Sequence, residues 1–116
     1  TTMKEIKAII QPFKRSAVID ALKQIGGLPG MTVDEHVHGF GKSSGESREQ
    51  RGNVDLIDYV PLVKLEIVVP DTMVERVISA IQESAHTGNP GDGKIFVYDV
   101  QEVVKIRSNE RGESAI

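Results

Sequence analysis

The sequence predicts an α+β fold in which a single antiparallel sheet carries two helices on one face, with elements in the order βαββαβ. Three observations lead there. Apolar and polar residues alternate along residues 4–11 and again along residues 63–69, which is the period of a half-buried strand, and a further strand is read from Lys94 onward. Two other stretches space their apolar residues three and four apart, the period of a helix lying on a sheet. Prolines and glycines stand at the junctions, at Pro12, Gly26-Gly27, Pro29-Gly30 and between Gly88 and Gly93. This succession is the ferredoxin-like arrangement.

The first strand places Ile6, Ala8 and Ile10 on one face and ends at Pro12. Ser16 is expected to cap a helix carrying Val18, Ala21, Leu22 and Ile25 inward, which Gly26-Gly27 then stops. After Leu28-Pro29-Gly30 a second strand runs from Met31 to about Gly39, where two-residue spacing puts Asp34, His36 and His38 on one face. His36 and His38 are weak metal candidates, because two histidines and a carboxylate without a fourth ligand also describe an ordinary solvated strand face. Between Gly41 and Asp58 the chain is rich in Ser, Gly, Glu and Arg and has no apolar period, so a long exposed loop is expected. A third strand follows, from about Leu56 to Val69 with a bend at Pro61, and buries Val63, Leu65, Ile67 and Val69 while Lys64 and Glu66 take the other face. Thr72 and Glu75 have the spacing of a capping box for a second helix whose core stripe is Val74, Val77, Ile78, Ile81 and Ala85. The fourth strand, from Lys94 to Val100, is expected to extend toward Val104, ahead of a polar tail from Ser108 to Ser114.

The 116 residues suit a single domain over residues 1–116. Without cysteine, neither a disulfide nor a thiolate metal site is available. No stretch reaches the length of an apolar membrane span, and a soluble cytoplasmic protein is expected. A net charge of −3 and an isoelectric point near 5.6 argue against a nucleic-acid partner, and 4% aromatic content leaves little for stacking bases.

The densest signal is Thr87-Gly88-Asn89-Pro90-Gly91-Asp92-Gly93-Lys94. Glycines there can take positive φ and turn successive N–H groups toward an anion. The spacing Gly88-x-x-x-x-Gly93-Lys94 approaches a nucleotide-binding P-loop, but Ile95 stands where that motif needs Ser or Thr, and a strand follows where it needs a helix. With Ile95-Phe96-Val97 the stretch resembles the C-terminal signature of the PII signal-transduction proteins. So do Ile9-Ile10-Gln11-Pro12-Phe13-Lys14, Met31-Thr32-Val33, Gly39-Phe40-Gly41, Arg51-Gly52 and Val63-Lys64-Leu65-Glu66-Ile67-Val68-Val69-Pro70-Asp71. The likeness runs nearly end to end and extends into the tail from Lys105 to Ile116.

The resemblance implies a non-enzymatic homotrimer holding an adenine nucleotide, ATP, ADP or AMP, in each cleft between neighbouring subunits. Position by position it assigns Gly91, Asp92, Gly93 and Lys94 to the phosphates, joined by Lys105, Arg107 and Lys42. It assigns Thr32, Glu66 and the main chain near Val68 to the base and ribose, and Ile9 and Gly39 to main-chain contacts. Lys105 and Arg107, two apart on an expected strand, would share a face. The loop from Lys42 to Asp58 would dock on a target protein, so that a membrane is reached only through a membrane-protein target.

Departures from the family pattern bear on the second ligand. The family's 2-oxoglutarate sensors carry a glutamine that helps chelate Mg²⁺ and a lysine that neutralises the ketoacid, where this chain has Ser43 and Leu62. Ketoacid sensing is therefore not expected, and bicarbonate, as used in the carboxysome-associated branch, is the preferred second ligand. Asp55, Gln50 and Asn53 occupy the loop positions where relatives are covalently modified. The alternatives are an ordinary nitrogen regulator sensing 2-oxoglutarate, a small phosphohydrolase relying on Asp92, Glu66 or a histidine, and a metal-responsive module using His36, His38 and His86.

Overall fold

The computed structural model describes residues 2–40 and 59–116. Its elements are β1 (Met3–Ile10), α1 (Arg15–Lys23), β2 (Thr32–Gly39), β3 (Val60–Pro70), α2 (Val74–Ala85) and β4 (Gly93–Asp99). The sheet order is β2-β3-β1-β4 with every pairing antiparallel, as the βαββαβ order predicts. The expected loop between Gly41 and Asp58, and the onset of the third strand at Leu56, lie outside the described residues.

Alternation along the strands builds the core on one side of the sheet. Ile6, Ala8 and Ile10 of β1 and Val63, Leu65, Ile67 and Val69 of β3 are buried, and onto them pack Val18 and Leu22 of α1 and Val77, Ile81 and Ala85 of α2. Val74 is partly buried against this cluster, and Ile78 stands half-buried at the margin of the stripe. Full burial of such a side chain stabilises by about 1.5–3 kcal/mol, so this layer dominates the fold. No helix among the described residues is long and apolar enough to cross a membrane.

Both helices begin differently from expectation. Each is entered through a 3-10 turn, Pro12–Lys14 before α1 and Asp71–Met73 before α2. Lys14 and Met73 occupy the N-cap positions and neither makes a side-chain capping bond. Ser16 therefore lies already inside α1, and Thr72 lies inside the preceding turn, so neither the Ser16 cap nor the Thr72–Glu75 capping box forms. Proline fixes the chain at each entry. Pro12 opens its turn, and Pro70 holds ψ at 152° before Asp71 donates to the Thr2 carbonyl at 2.9 Å. At the far end of α1 the expectation stands, since the helix stops at Lys23 and Gly27 adopts φ 78° beyond it.

Two further corrections concern faces. In β2 the register against β3 shifts between Asp34 and Val37, so Asp34 is opposite Lys64 while His38 is opposite Pro61. The extra residue of this bulge ends strict alternation, and Asp34 and His38 fall on opposite faces instead of one. After β4, the chain does not continue as a strand to Val104. Val104 bridges to Arg111 alone, Lys105 N donates to Glu110 O at 2.8 Å, and Asn109 takes φ 62° between them. Lys105 and Arg107 thus sit in a tight hairpin and not on a strand, because Ser108-Asn109 is turn chemistry. The expected polar tail folds back, and Ala115 is buried.

Candidate functional site

The glycine turn is built around one carboxylate. Asp92 accepts from the Thr87 N–H at 2.8 Å and the Gly88 N–H at 2.9 Å, and also from the Thr87 hydroxyl, whose oxygen in turn accepts from the Asn89 N–H at 3.1 Å. The hydroxyl and amide donors favour the ionised form and hold Asp92 at about 2, well below the usual carboxylate range. Its side chain thus holds the turn closed. The Gln11 amide, which the sequence reading had not singled out, donates to the Gly91 carbonyl and ties the turn to the end of β1.

Gly93 shows why glycine is required where the turn enters β4. Its φ is 108°, and a Cβ there would stand 1.8 Å from the Ile9 carbonyl oxygen. That approach sets Lys94 opposite Ile9 in the β1–β4 register. Beneath the turn lies a cavity of about 220 Å³, with Ile10, Ile81 and Ile95 as its apolar wall and His86, Asp92 and Lys94 at its rim.

Thr32, Glu66 and Val68 belong to a second cavity, of about 430 Å³, on the face of the sheet that the helices leave uncovered. Thr32 is directly opposite Glu66, and Val68 lies one step further along the same face of β3. Glu5, Val103 and Ile116 line the same cavity and were not anticipated; Glu5 was legible as a residue two positions from Lys7 on that face of β1. Burial first, then the neighbouring Glu66 carboxyl, raises the Glu5 carboxyl above its ordinary value, against the pull of Lys7 and Lys64.

The remaining expected residues are spread out. Gly39 ends β2 opposite Val60, and a Cβ on it would come within 3.0 Å of Leu62 Cδ1, so leucine lies directly over this glycine. Lys105 faces Glu110 at 3.5 Å within its hairpin, and Arg107 is exposed there. Lys42 and Ser43 lie outside the described residues. The two cavities share no lining residue, so one chain brings Ile9 and residues 91–94 together at one place and Thr32, Glu66 and Val68 at another.

The histidines do not converge. His36 and His38 are on β2, at the opposite edge of the sheet from β4, and His86 follows α2 beside Asp92. Among the described residues no group of three His, Cys, Asp or Glu side chains is placed to hold a metal ion.

Comparison with known proteins places this geometry in context. The family model described as "Nitrogen regulatory protein P-II" matches residues 3–110. The chain is 51% identical over 114 residues to a protein of Azospirillum brasilense named nitrogen regulatory protein P-II, covering 98% of this chain and 100% of that protein. A protein of the same name from Pasteurella multocida is likewise 51% identical, with the same coverage. Among solved structures, the crystal structure of Arabidopsis thaliana PII bound to citrate superposes with a TM-score of 0.80 at 40% identity, over 100% of this chain and 94% of that one.

Proposed function

We propose, because the chain belongs to the nitrogen regulatory protein P-II family, that it is a non-enzymatic signalling protein that binds an adenine nucleotide between copies of itself and acts on a target protein through the loop from Lys42 to Asp58. The observation that carries this reading is the division of the expected ligand residues between two cavities with no common wall. A nucleotide spans both chemistries only if one copy supplies Ile9, Gly39 and the Gly91–Lys94 backbone and ammonium while a neighbour supplies Thr32, Glu66 and the main chain at Val68. Lys105 and Arg107 on the projecting hairpin, and Lys42, add positive charge for the phosphates. Closed cyclic symmetry, as a homotrimer, supplies identical clefts and covers the bare sheet face.

Enzymatic turnover is disfavoured because Asp92, the carboxylate nearest the phosphate turn, is engaged by three donors of that turn, which hold it at about 2 and make it a weak base. A metal-responsive role is disfavoured by the separation of the histidines. The protein acts in the cytoplasm, with no nucleic-acid partner, and meets membranes only through a membrane-protein target.

For the second ligand, Leu62 over Gly39 presents a methyl where a dianion needs a cation, which favours a monoanion such as bicarbonate and speaks against 2-oxoglutarate with Mg²⁺. The ordinary nitrogen-sensing reading has its own support in the names of the relatives and in a related PII that is bound to citrate, a polycarboxylate. Calorimetry decides. ATP, ADP or AMP should bind, 2-oxoglutarate added to the Mg-ATP complex should neither give further heat nor tighten ATP, and bicarbonate should do so where chloride does not. Sedimentation equilibrium should give a trimer. A monomer without nucleotide affinity would overturn the reading, and tight 2-oxoglutarate binding would return the protein to the ordinary nitrogen-sensing class.

A further inference from the structure

The glycine turn spends most of its N–H groups on itself. Those of Thr87 and Gly88 donate to the Asp92 carboxylate at 2.8 and 2.9 Å, that of Asn89 donates to the Thr87 hydroxyl at 3.1 Å, and Pro90 has none. Within residues 87–94 that leaves 91–94 to meet an anion. Of these, Gly93 and Lys94 are oriented by the ladder with β1, where they stand opposite Ile10 and Ile9. The peptide between Gly91 and Asp92 precedes β4 and lies outside that ladder.

One side chain holds that peptide. The part-buried Gln11 amide donates to the Gly91 carbonyl across 80 positions of sequence. Gln11 is itself fixed, because it follows the last residue of β1, its φ of −71° and ψ of 140° are those that a following proline favours, and its carbonyl accepts from the Lys14 N–H at 3.0 Å. In a trans peptide the C=O and N–H point in opposite directions, so a carbonyl drawn toward Gln11 turns the Asp92 N–H away from it. Glycine at 91, with φ 95°, accepts the peptide plane either way round, and the flipped plane would turn the carbonyl outward instead. An anion would meet a donor in the first case and an acceptor in the second.

We propose that Gln11 is a positioning residue for phosphate binding, whose amide pins the Gly91–Asp92 peptide so that the Asp92 N–H faces the phosphates. Gln11 itself touches no ligand in this arrangement and acts through the backbone of the turn. The amide end that meets the carbonyl must be the NH₂, since two oxygens facing each other would share no hydrogen. Methionine, of similar length and without a donor, would leave the plane unpinned. The inference rests on the nucleotide reading of the glycine turn, and the experiment separates the two.

ADP is titrated into the wild type and into the Gln11→Met variant by calorimetry, and the backbone amide NMR spectra of both are followed in the same titrations. The variant should bind ADP about tenfold more weakly, the low end for loss of a charge-assisted hydrogen bond. In the wild type the Asp92 amide proton should move downfield as ADP binds, because a hydrogen bond to a phosphate oxygen deshields it. In the variant saturated with ADP that shift should be lost, while the amides of Thr32 and Val68, at the expected base end, still move as they do in the wild type. The wild-type spectrum keeps the test independent of the variant's folding. Equal ADP affinity in the two proteins, an Asp92 amide unmoved by ADP in the wild type, or shifts lost at both ends alike in the variant, as a merely structural role would give, would each overturn the positioning role and leave the nucleotide reading intact. Absence of ADP binding to the wild type would overturn both.

Discussion

The two faces of the sheet are made of the same strands by the same alternation, yet they behave as different materials. Toward the helices, β1 presents Ile6, Ala8 and Ile10 and β3 presents Val63, Leu65, Ile67 and Val69, all buried. Toward the other side the same strands present Glu5, Lys7, Ile9, Lys64, Glu66 and Val68, all half-buried, and β4 adds Lys94, Phe96 and Tyr98. The first face needs shape and volume alone. The second holds charges at intermediate burial, where each must find a partner, as Lys7 finds the rings of Phe96 and Tyr98. Stability is thus concentrated on one face, while the other is left for recognition.

The largest effect should come from the covered face. Leu65→Ala opens a cavity under both helices and should cost about 2–5 kcal/mol in urea unfolding. Phe96→Ala, on the other face, loses a part-exposed ring and its contact with Lys7, about 1 kcal/mol in the isolated chain. Equal losses would erase the distinction between the faces. A Phe96→Ala loss that grows with protein concentration would sharpen it, because it would mean that copies cover this face.

At the glycine turn the expected effect is on binding. Lys94→Ala and Arg107→Ala should each weaken ADP by about 1.5–3 kcal/mol, the range of a charge-assisted contact, with unfolding midpoints unchanged. Because the two residues lie on separate parts of one chain, equal losses in both variants are expected only if a neighbouring copy completes the site. Unchanged affinity in both would place any nucleotide elsewhere.

How much of this was legible depends on whether a feature is local. Alternation found β1 and β3, and the helical stripes found Val18, Leu22, Val77 and Ile81, because burial on one side is written in the spacing. The helix entries were misread because Ser16 and the Thr72–Glu75 spacing look like caps, while the deciding residues were Pro12 and Pro70, whose fixed φ leads the chain in through a 3-10 turn. Lys105 and Arg107 were placed on a strand although Ser108-Asn109 beside them signals a turn. The glycine turn was recognised, but not that the Asp92 side chain closes it upon Thr87 and Gly88, since a contact five residues back has no period to reveal it. Glu5 and Glu66 stand 61 positions apart in sequence, and only the register of β1 on β3 brings them to one cavity.

The smallest effects are on pH dependence, and there the two regions should differ in sign. Asp92 titrates at about 2 in the folded chain against an ordinary 3.8, so the folded state binds fewer protons than the unfolded one in that interval. Its contribution is present above pH 3.8 and is lost as the pH falls toward about 2. Asp92→Asn should therefore lower the melting temperature at neutral pH and converge with the wild type at the acid end. Glu5 is displaced upward, so the folded state there binds more protons than the unfolded one. Its stabilising share is complete below the ordinary value of 4.5 and is lost as the pH rises through the raised one. Glu5→Gln, which resembles the protonated acid, should match the wild type below pH 4.5 and melt slightly higher at neutral pH. Solvent around both groups keeps these differences small, so the test lies in their opposite slopes. Melting curves collected across pH for the wild type and the two variants would show them, and a Glu5→Gln variant that loses stability at neutral pH would mean that the attraction of Lys7 and Lys64 outweighs the burial of the Glu5 carboxylate.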